Sequence, residues 1–283
     1  MKIKSLRNIG FDKIFEAFSR AFEDYEIQLN FGQLETMLKR RGFVPELSFA
    51  AFEGDTIVSF TLNGIGSFNG IPTAYDTGTG TVKEFRGRHL ASKIFEHSIP
   101  HLKGENVEQY LLEVLQHNTN AVYIYKKIGF EVSRELNYFV QRNDKITIKP
   151  IISDSQYTIQ QAALEDCKAQ HRFWDFYPSW QNSFDSIYRK PEDFLVFGAF
   201  FNQSLVGYCI FEPNSGDITQ ISIDRQHRRK GVGSLMLKEA LKFNLHGSTK
   251  IINTDVNCDS ITKFLESSSI AIKGKQFEMI KKI

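Results

Sequence analysis

Cysteine is scarce in this sequence: three occur among 283 residues, at Cys167, Cys209 and Cys258, and all lie in the second half. An odd number excludes a fully paired disulfide framework, and the spacings match no zinc-binding pattern. The scarcity indicates a protein of a reducing compartment. We therefore predict a cytoplasmic location and no bound metal.

The sequence also lacks long apolar runs and a strong excess of charge. No hydrophobic stretch approaches the length that spans a bilayer, and residues 1–11 lack the apolar block of a secretory signal. Hydrophobic residues make up 41% and charged residues 24% of the chain, which indicates an ordinary globular protein rather than a disordered one. The formal net charge of +2 is too small to indicate a nucleic-acid partner by itself. We expect neither a membrane nor a nucleic-acid partner.

What the sequence does contain is a diverged internal repeat. Residues 51–60 read AFEGDTIVSF and residues 199–208 read AFFNQSLVGY, so Ala-Phe, a polar turn and an aliphatic-Val pair recur in the same order. Each segment predicts a β-hairpin. With 283 residues, the chain has room for two domains of ordinary size.

The elements that follow each hairpin also recur. Residues 77–82 and 217–223 read as strands, and each is followed by a basic turn and by apolar residues at helical spacing. Gly104 and Gly247 are the predicted ends of these two helices. Pro100 is expected to distort the last turn of the first helix.

An apolar strand and a short helix complete each half. Asn118 and Asn257 are the predicted N-caps of the two short helices. Polar residues interrupt the periodicity over residues 142–156, where we place the link between the halves. The alternation of strands and helices around a hairpin predicts the α/β class, with a mixed sheet in each of two tandem domains at residues 1–148 and 149–283.

Each of the strands at 77–82 and 217–223 ends in a basic turn that runs directly into a helix. Free main-chain N–H groups at a helix start, reinforced by the helix dipole, bind anions such as a pyrophosphate. Glycine at such a turn lets the backbone approach the phosphate closely. The residues of the two turns are Arg86, Gly87, Arg88, His89, Leu90 and Ala91 in the first half and Arg228, Arg229, Lys230, Gly231, Val232 and Gly233 in the second.

Both turns resemble the Q/R-x-x-G-x-G/A signature with which the GNAT acetyltransferase superfamily binds acyl-CoA. A second signature of that superfamily, N-x-x-A-x-x-x-Y-x-K-x-G-F, is similar to the segment NTNAVYIYKKIGF. Its positions are occupied by Asn118, Ala121, Tyr125, Lys127, Gly129 and Phe130. Because Ala121, Tyr125 and Ile128 share one helix face, Tyr125 is predicted to point inward. The resemblance covers most of both halves and implies two tandem acyl-CoA N-acyltransferase domains.

The resemblance implies direct transfer of an acetyl group from the cosubstrate acetyl-CoA to a primary amine of a small molecule or peptide, within a ternary complex. Tyr125 would protonate the departing CoA thiolate, and Asn118 would contact the pantetheine arm. The implied CoA-binding residues are those of the two turns together with Thr79, Thr81, Val82 and Ile223.

The amine acceptor must lose a proton before it attacks, because a lysine-like amine with a reference pKa of about 10.4 is charged at neutral pH. Asp76, on or near the first of these strands, is the candidate base, although an ordinary turn aspartate explains it as well. Asp217 is the acidic residue of the corresponding region in the second half. The catalytic candidates are therefore Tyr125 and Asp76.

The two halves depart from the signatures in different places. His89 stands where the superfamily prefers glycine, whereas the second turn is intact. In the segment NCDSITKFLESSSI, Phe264 is aligned with Tyr125, and Ser268 and Ser269 replace the Gly-Phe pair. Because phenylalanine has no proton to donate, we expect catalysis in the first half.

Other interpretations stay open for several features. Tyr125 is also explained as a core aromatic, and the basic residues 225–230 as a nucleic-acid or tRNA contact. The aromatic residues 173–180 either line an acceptor pocket or serve only packing. His97 and His101 have a spacing that zinc can use but lack the further ligands of a metal site. A non-catalytic CoA-binding sensor or interaction module is the alternative function, and the sequence leaves the acceptor and a homo-oligomeric state open.

Overall fold

The structure, a computed structural model, describes residues 1–25, 28–148 and 156–283. These residues form two compact units. Unit 1 consists of Met1–Ser133, Tyr188–Lys190 and Phe277–Ile283, and unit 2 consists of Arg134–Ile187 and Pro191–Gln276. The sequence predicts a domain boundary between residues 148 and 149. Because residues 149–155 lie outside the described ranges, this boundary stays a prediction.

Unit 1 is built on a mixed sheet. Its strands are β1 (Lys2–Ser5), β2 (Phe49–Glu53), β3 (Thr56–Phe68), β4 (Ile71–Thr81) and β5 (Gln109–Leu115), and its helices are α1 (Phe11–Ala21), α2 (Phe31–Arg41), α3 (Leu90–Gly104) and α4 (Thr119–Lys127). The strands are neighbours in sequence order, and β4 pairs with β5 in parallel whereas the earlier pairs are antiparallel. The α/β class and the first predicted hairpin are confirmed.

Helices cover the sheet of unit 1 because successive strand residues point to opposite faces. Ala50 and Phe52 of β2 pack in one cluster with the apolar residues of α1 and α2. Phe49 and Ala51, which alternate with them, pack against Leu90 and Ile94 of α3. The apolar residues of each helix are spaced so that they lie along one side of the helix, which packs against the sheet. Both faces of β2 are therefore buried.

Unit 2 repeats this arrangement. Its strands are β6 (Glu131–Arg142, in unit 2 from Arg134), β7 (Tyr157–Gln161), β8 (Leu195–Phe201), β9 (Ser204–Glu212), β10 (Asp217–Ile223), β11 (Ser248–Asp255) and β12 (Ile272–Lys282, in unit 2 as far as Gln276). Its helices are α5 (Leu164–Ala169), α6 (Phe184–Tyr188, in unit 2 as far as Ile187), α7 (Val232–Lys242) and α8 (Asp259–Ser267). The β8–β9 pair is the second predicted hairpin, and β10 pairs with β11 in parallel. Apolar residues of α7 and α8 form one core cluster with β8, β9 and β10.

The end of the chain belongs to unit 1. Met279 of β12 is buried in one cluster with Tyr110 and Phe130, and the N–H of Ile283 donates to the carbonyl of Glu108 at 2.9 Å. The residues of β6 from Arg134 onward belong to unit 2, where they pair with β11. The core of unit 1 is therefore completed by residues from the end of the sequence.

Four predicted helix boundaries can be compared with the structure. Asn118 caps α4 through a side-chain oxygen that accepts from the N–H of Ala121 at 3.3 Å, and α3 ends at Gly104, so both predictions are confirmed. The other two are wrong. Helix α7 ends at Lys242, well before Gly247, and the N-cap of α8 is Cys258, because the Asn257 side chain donates instead to Asp255 at 3.1 Å.

Candidate functional site

Strands β4 and β5 diverge along their length. Their parallel pairs run from Thr73 with Gln109 to Tyr75 with Leu111, whereas the strands continue to Thr81 and Leu115. Divergence leaves main-chain groups on the facing edges for another partner.

A bulge in β4 lies at the start of this divergence. In the pairing with β3, Leu62 faces Gly78 and Asn63 faces Asp76, so Thr77 is the extra residue. A bulge re-aims the side chains beside it. Arg41 holds the bulge by donating to the carbonyl of Thr77 at 2.9 Å.

The carboxylate of Asp76 lies beside this bulge and receives three hydrogen bonds. The donors are the N–H of Gly78 at 3.0 Å, the hydroxyl of Thr79 at 2.9 Å and the hydroxyl of Tyr125 at 3.2 Å. The structure thus brings together Asp76 and Tyr125, the two residues predicted from the sequence as base and acid. Tyr125 is half-buried and also packs edge-on against Phe95.

Burial decides the charge states of this pair. It raises the pKa of Asp76 from its ordinary value to about 6, although the hydrogen bonds from Thr79, Tyr125 and Gly78 act in the opposite direction. Burial and the nearby Asp76 charge raise the pKa of Tyr125 well above its usual range. At neutral pH Asp76 is therefore mostly ionised and Tyr125 is protonated.

Side chains that the sequence analysis did not single out support the pair. The hydroxyls of Thr61 and Thr79 lie 3.1 Å apart across β3 and β4, and the buried Tyr110 donates to the side-chain oxygen of Asn63. The amide of Asn118 lies 3.5 Å from the hydroxyl of Tyr25. The alternation of threonine along β4, at Thr77, Thr79 and Thr81, was the available signal, since facing residues of an antiparallel pair form cross-strand contacts.

The turn after β4 is fastened by Arg86. Its guanidinium donates to the carbonyl of Thr81 at 3.1 Å, to the carbonyl of Ala21 at 2.9 Å and to the carboxylate of Asp24 at 3.2 Å. These contacts tie the strand end to the end of α1. The Val82 N–H is likewise engaged, because it donates to the carbonyl of Val58 at 2.9 Å.

Arg228 fastens the turn of unit 2 in the same way. It donates to the carbonyl of Ile223 at 2.9 Å, to the carbonyl of Phe173 at 3.0 Å and to the carboxylate of Asp175 at 2.8 Å. Arg86 and Arg228 are therefore equivalent residues. Both guanidinium groups form hydrogen bonds that fix the shape of the turn. The main-chain N–H groups are therefore the candidates for binding an anion.

The backbones of the two turns match as well. Gly87 and His89 have φ values of 78° and 59°, and the equivalent Arg229 and Gly231 have φ values of 62° and 86°. Each turn thus places one glycine and one side-chain-bearing residue in the left-handed region, which disfavours residues other than glycine. His89 adopts the backbone conformation of the glycine that it replaces.

A cavity of about 900 Å³ lies beside the turn of unit 2. Its walls come from β10, the turn, the start of α7, β11, α8 and the loop before α6. All the predicted CoA-binding residues of unit 2 line it, namely Ile223, Arg228, Arg229, Lys230, Gly231, Val232 and Gly233. Of the aromatic segment 173–180, Phe173, Trp174, Phe176 and Pro178 also line the cavity, so this segment forms a pocket wall.

Strand bulges change which residues of unit 2 are equivalent to Asp76 and Tyr125 of unit 1. In β10, Ile218 faces Phe211 and Gln220 faces Ile210, so Thr219 is the bulge residue that matches Thr77. Ile218 is then the counterpart of Asp76, and Asp217, the acidic residue of the corresponding region, lies one position before it.

The second correspondence changes at α8. A bulge in β11, with Asn253 at a φ of 58°, adds one residue before this helix. The N–H of Phe130 donates to the carbonyl of Tyr125, and the N–H of Ile270 donates to the carbonyl of Leu265. Leu265, not Phe264, therefore stands where Tyr125 stands in unit 1. Leucine also lacks a proton to give.

Neither a metal group nor a membrane helix is found in the described parts of the chain. Residues 1–25, 28–148 and 156–283 contain no cluster of three or more histidine, cysteine, aspartate or glutamate side chains placed to hold a metal ion. The rings of His97 and His101 both contact the ring of Phe49. Within the same ranges, every helix is too short or too polar to cross a bilayer.

Comparison with known proteins identifies sequence and fold relatives. The Acetyltransferase (GNAT) family matches residues 11–130 and 155–261. No curated protein matches the sequence.

Two solved structures are similar to nearly the whole chain. One, described as a tandem GNAT protein from the clavulanic acid biosynthesis pathway, has a TM-score of 0.75 and 10% identity, with 99% of this chain and 98% of that chain covered. The other, a GCN5-related N-acetyltransferase from Sphaerobacter thermophilus, has a TM-score of 0.71 and 12% identity, with 99% and 95% covered. At these identities the likeness establishes the fold.

Proposed function

The chain belongs to the GNAT acetyltransferase family, and from this premise we propose that it transfers an acetyl group from acetyl-CoA to a primary amine. The hydrogen bond between Tyr125 and Asp76 carries the proposal, because it joins a proton donor and a proton acceptor where β4 and β5 diverge. We place the reaction in unit 1 for this reason. Unit 2 has Leu265 and Ile218 at the equivalent positions.

The proposed CoA site of unit 1 follows β4 into the turn before α3. Main-chain N–H groups of the turn would face the pyrophosphate, since the guanidinium of Arg86 is already hydrogen-bonded within the protein. Asn118, at the start of α4, would contact the pantetheine arm. The set proposed to hold CoA in this unit is Thr79, Thr81, Val82, Arg86, Gly87, Arg88, His89, Leu90, Ala91 and Asn118.

The proton transfers of the proposed reaction use the pair together. Asp76 takes one proton from the bound ammonium group. The resulting amine nitrogen bonds to the acetyl carbon, the C–S bond breaks, and the nitrogen releases its second proton to solvent. Tyr125 alone is a weak donor, because its pKa lies above the value of about 8.5 that is typical of a thiol. Protonated Asp76 has a pKa of about 6, below that of the thiol. When Asp76 returns its proton to Tyr125 over 3.2 Å, the net transfer of a proton to the sulfur therefore becomes favourable.

The buried carboxylate also bears on the acceptor. An ionised Asp76 attracts the ammonium form of a primary amine and disfavours anionic acceptors. We therefore propose a small molecule or peptide with a free primary amine as the acceptor class.

Replacing Tyr125 by phenylalanine tests the proposal. We expect the rate of thiol release from acetyl-CoA with an amine panel to fall by about 10² to 10⁴, while acetyl-CoA binding measured by calorimetry stays unchanged. Tyr123→Phe is the matched control, because Tyr123 lies on the same helix and is 66% exposed. Equal rates in the wild type and Tyr125→Phe would show that the assigned acid is wrong.

A further inference from the structure

Two hydroxyl groups connect Asp76 to the interior of the sheet of unit 1. The hydroxyl oxygen of Thr79 lies 2.9 Å from Oδ2 of Asp76 and 3.1 Å from the hydroxyl oxygen of Thr61, which faces it on β3. Thr61 is fully buried, and among the described residues its hydroxyl has a hydrogen-bond contact with Thr79 alone. Thr61, Thr79, Asp76 and Tyr125 therefore form one chain of hydrogen bonds.

The direction of these hydrogen bonds follows from the number of protons. A hydroxyl group has one proton to donate, and an ionised carboxylate can only accept. The proton of Thr79 therefore goes to Asp76, and the contact of 3.1 Å is a hydrogen bond because Thr61 donates to Thr79. If Thr79 turned its proton toward Thr61 instead, the buried hydroxyl of Thr61 would lose its acceptor, which is unfavourable.

This arrangement also decides where the proton of protonated Asp76 points. Oδ1 of Asp76 accepts from the N–H of Gly78 at 3.0 Å, so the added proton lies on Oδ2. Oδ2 faces the hydroxyls of Thr79 and Tyr125. While Thr61 keeps the proton of Thr79 directed at Oδ2, Tyr125 is the hydroxyl that can accept from Asp76.

Unit 2 lacks this chain. On β3 and β4 Thr61 faces Thr79, and at the equivalent place on β9 and β10 Cys209 faces Ile221. The hairpin of unit 2 therefore forms without the hydroxyl of Thr61, so the fold does not require it. All four members change between the units, and the pairs are Thr61 and Cys209, Thr79 and Ile221, Asp76 and Ile218, and Tyr125 and Leu265.

We propose that Thr61 is a positioning residue that directs the proton of Asp76 to Tyr125. This inference rests on the proposed function. In the step concerned, the O–H bond of Asp76 breaks as a new O–H bond forms at Tyr125, and Tyr125 gives its own proton to the CoA thiolate. Thr61 acts through Thr79, because it is fully buried and touches neither substrate nor reacting atom.

Thr61→Val tests the proposal, because valine keeps the shape of threonine without its hydroxyl. We expect kcat to fall about fivefold at its pH plateau, the effect of losing one hydrogen bond, while the KM for acetyl-CoA stays unchanged. The acidic limb of kcat/KM should move to higher pH, because Thr79 then donates less strongly to the ionised carboxylate. Thr61→Ser should restore both values, and Thr61→Ala is a second variant without the hydroxyl.

The charged and titratable side chains around Asp76 are the same in all these variants. They are Arg41 of α2, Tyr75 beside Asp76 on β4, Tyr110 of β5 and Tyr125 of α4. A moved acidic limb therefore reports the hydroxyl chain. The matched control is Thr73→Val, since Thr73 is equally buried and its hydroxyl donates to the carbonyl of Ile71 at 2.7 Å, outside the chain.

Several outcomes separate this proposal from the acetyl-transfer proposal. A wild-type kcat and acidic limb in folded Thr61→Val, or equal changes in Thr61→Val and Thr73→Val, would overturn the role of Thr61 while leaving acetyl transfer intact. NMR titration of the Asp76 carboxyl carbon measures the shift without turnover. If the protein transfers no acetyl group, a higher pKa in Thr61→Val would support the chain and reject the reaction, and an unchanged pKa would overturn the chain itself.

Discussion

The hydroxyl of Tyr125 donates a hydrogen bond of 3.2 Å to the carboxylate of Asp76, a residue 49 positions earlier in the sequence. One residue lies on a helix and the other beside a strand bulge, so neither local segment contains the pair. Its proposed role as a proton relay depends on the ionised state of Asp76, which makes pH the most direct experimental variable.

The rate of acetyl transfer should depend on pH through Asp76. Because only the ionised carboxylate accepts the amine proton, kcat/KM should rise as pH increases through about 6 and then level off until other groups titrate. Asp76→Asn should lower the rate by about 10² or more and remove this acidic limb. A pH–rate profile of both proteins provides the measurement, and an unchanged limb in the variant would assign it to another group.

The stability of the folded protein should also depend on the ionisation of Asp76. It should fall as pH rises, whereas the rate of acetyl transfer increases. Since the folded-state pKa of about 6 exceeds the ordinary 3.8, the folded protein binds more protons at pH values between them. The contribution of Asp76 to the free energy of unfolding therefore falls as pH rises from about 4 to 6, by a total of about 3 kcal/mol. Urea unfolding of the wild type and of Asp76→Asn at several pH values in this range measures the effect. The contribution of Asp76 is the difference between the two free energies of unfolding. A constant difference would contradict the shifted pKa.

His89→Gly should stabilise unit 1. His89 has a φ of 59°, and the left-handed region costs a residue other than glycine about 1 to 2 kcal/mol. The extra entropy of glycine in the unfolded chain offsets part of the gain, so we expect a net increase of about 1 kcal/mol in the free energy of unfolding. His89→Ala is the control, because it removes the ring but not the strain. Equal stabilities of the two variants would argue against backbone strain at this position.

Met279→Ala should destabilise unit 1, although this residue lies near the end of the sequence. Met279 is fully buried in the cluster that contains Tyr110 and Phe130, and removing such a side chain costs about 2 to 5 kcal/mol. Lys282→Ala on the same strand is the control, because Lys282 is exposed. Thermal unfolding measures both, and a loss no larger than that of the control would place Met279 outside the core of unit 1.

Much of the candidate site could be predicted from local sequence. The hairpins follow from alternating apolar residues around polar turns, and Asn118 caps α4 because its side chain bonds to an N–H within the same turn of helix. The asymmetry between the halves was also evident, since no hydroxyl-bearing residue stands at the place of Tyr125 in unit 2. The interactions behind these features lie within a few residues of each other.

Tertiary structure alone decided the rest. The single-residue bulge in β11 moved the counterpart of Tyr125 from Phe264 to Leu265, because strand register is set by pairing with distant residues. Packing likewise placed Met279 in unit 1 and occupied the guanidinium of Arg86 with the end of α1. Sequence determined which chemical groups each half carries, whereas long-range packing determined which of them meet.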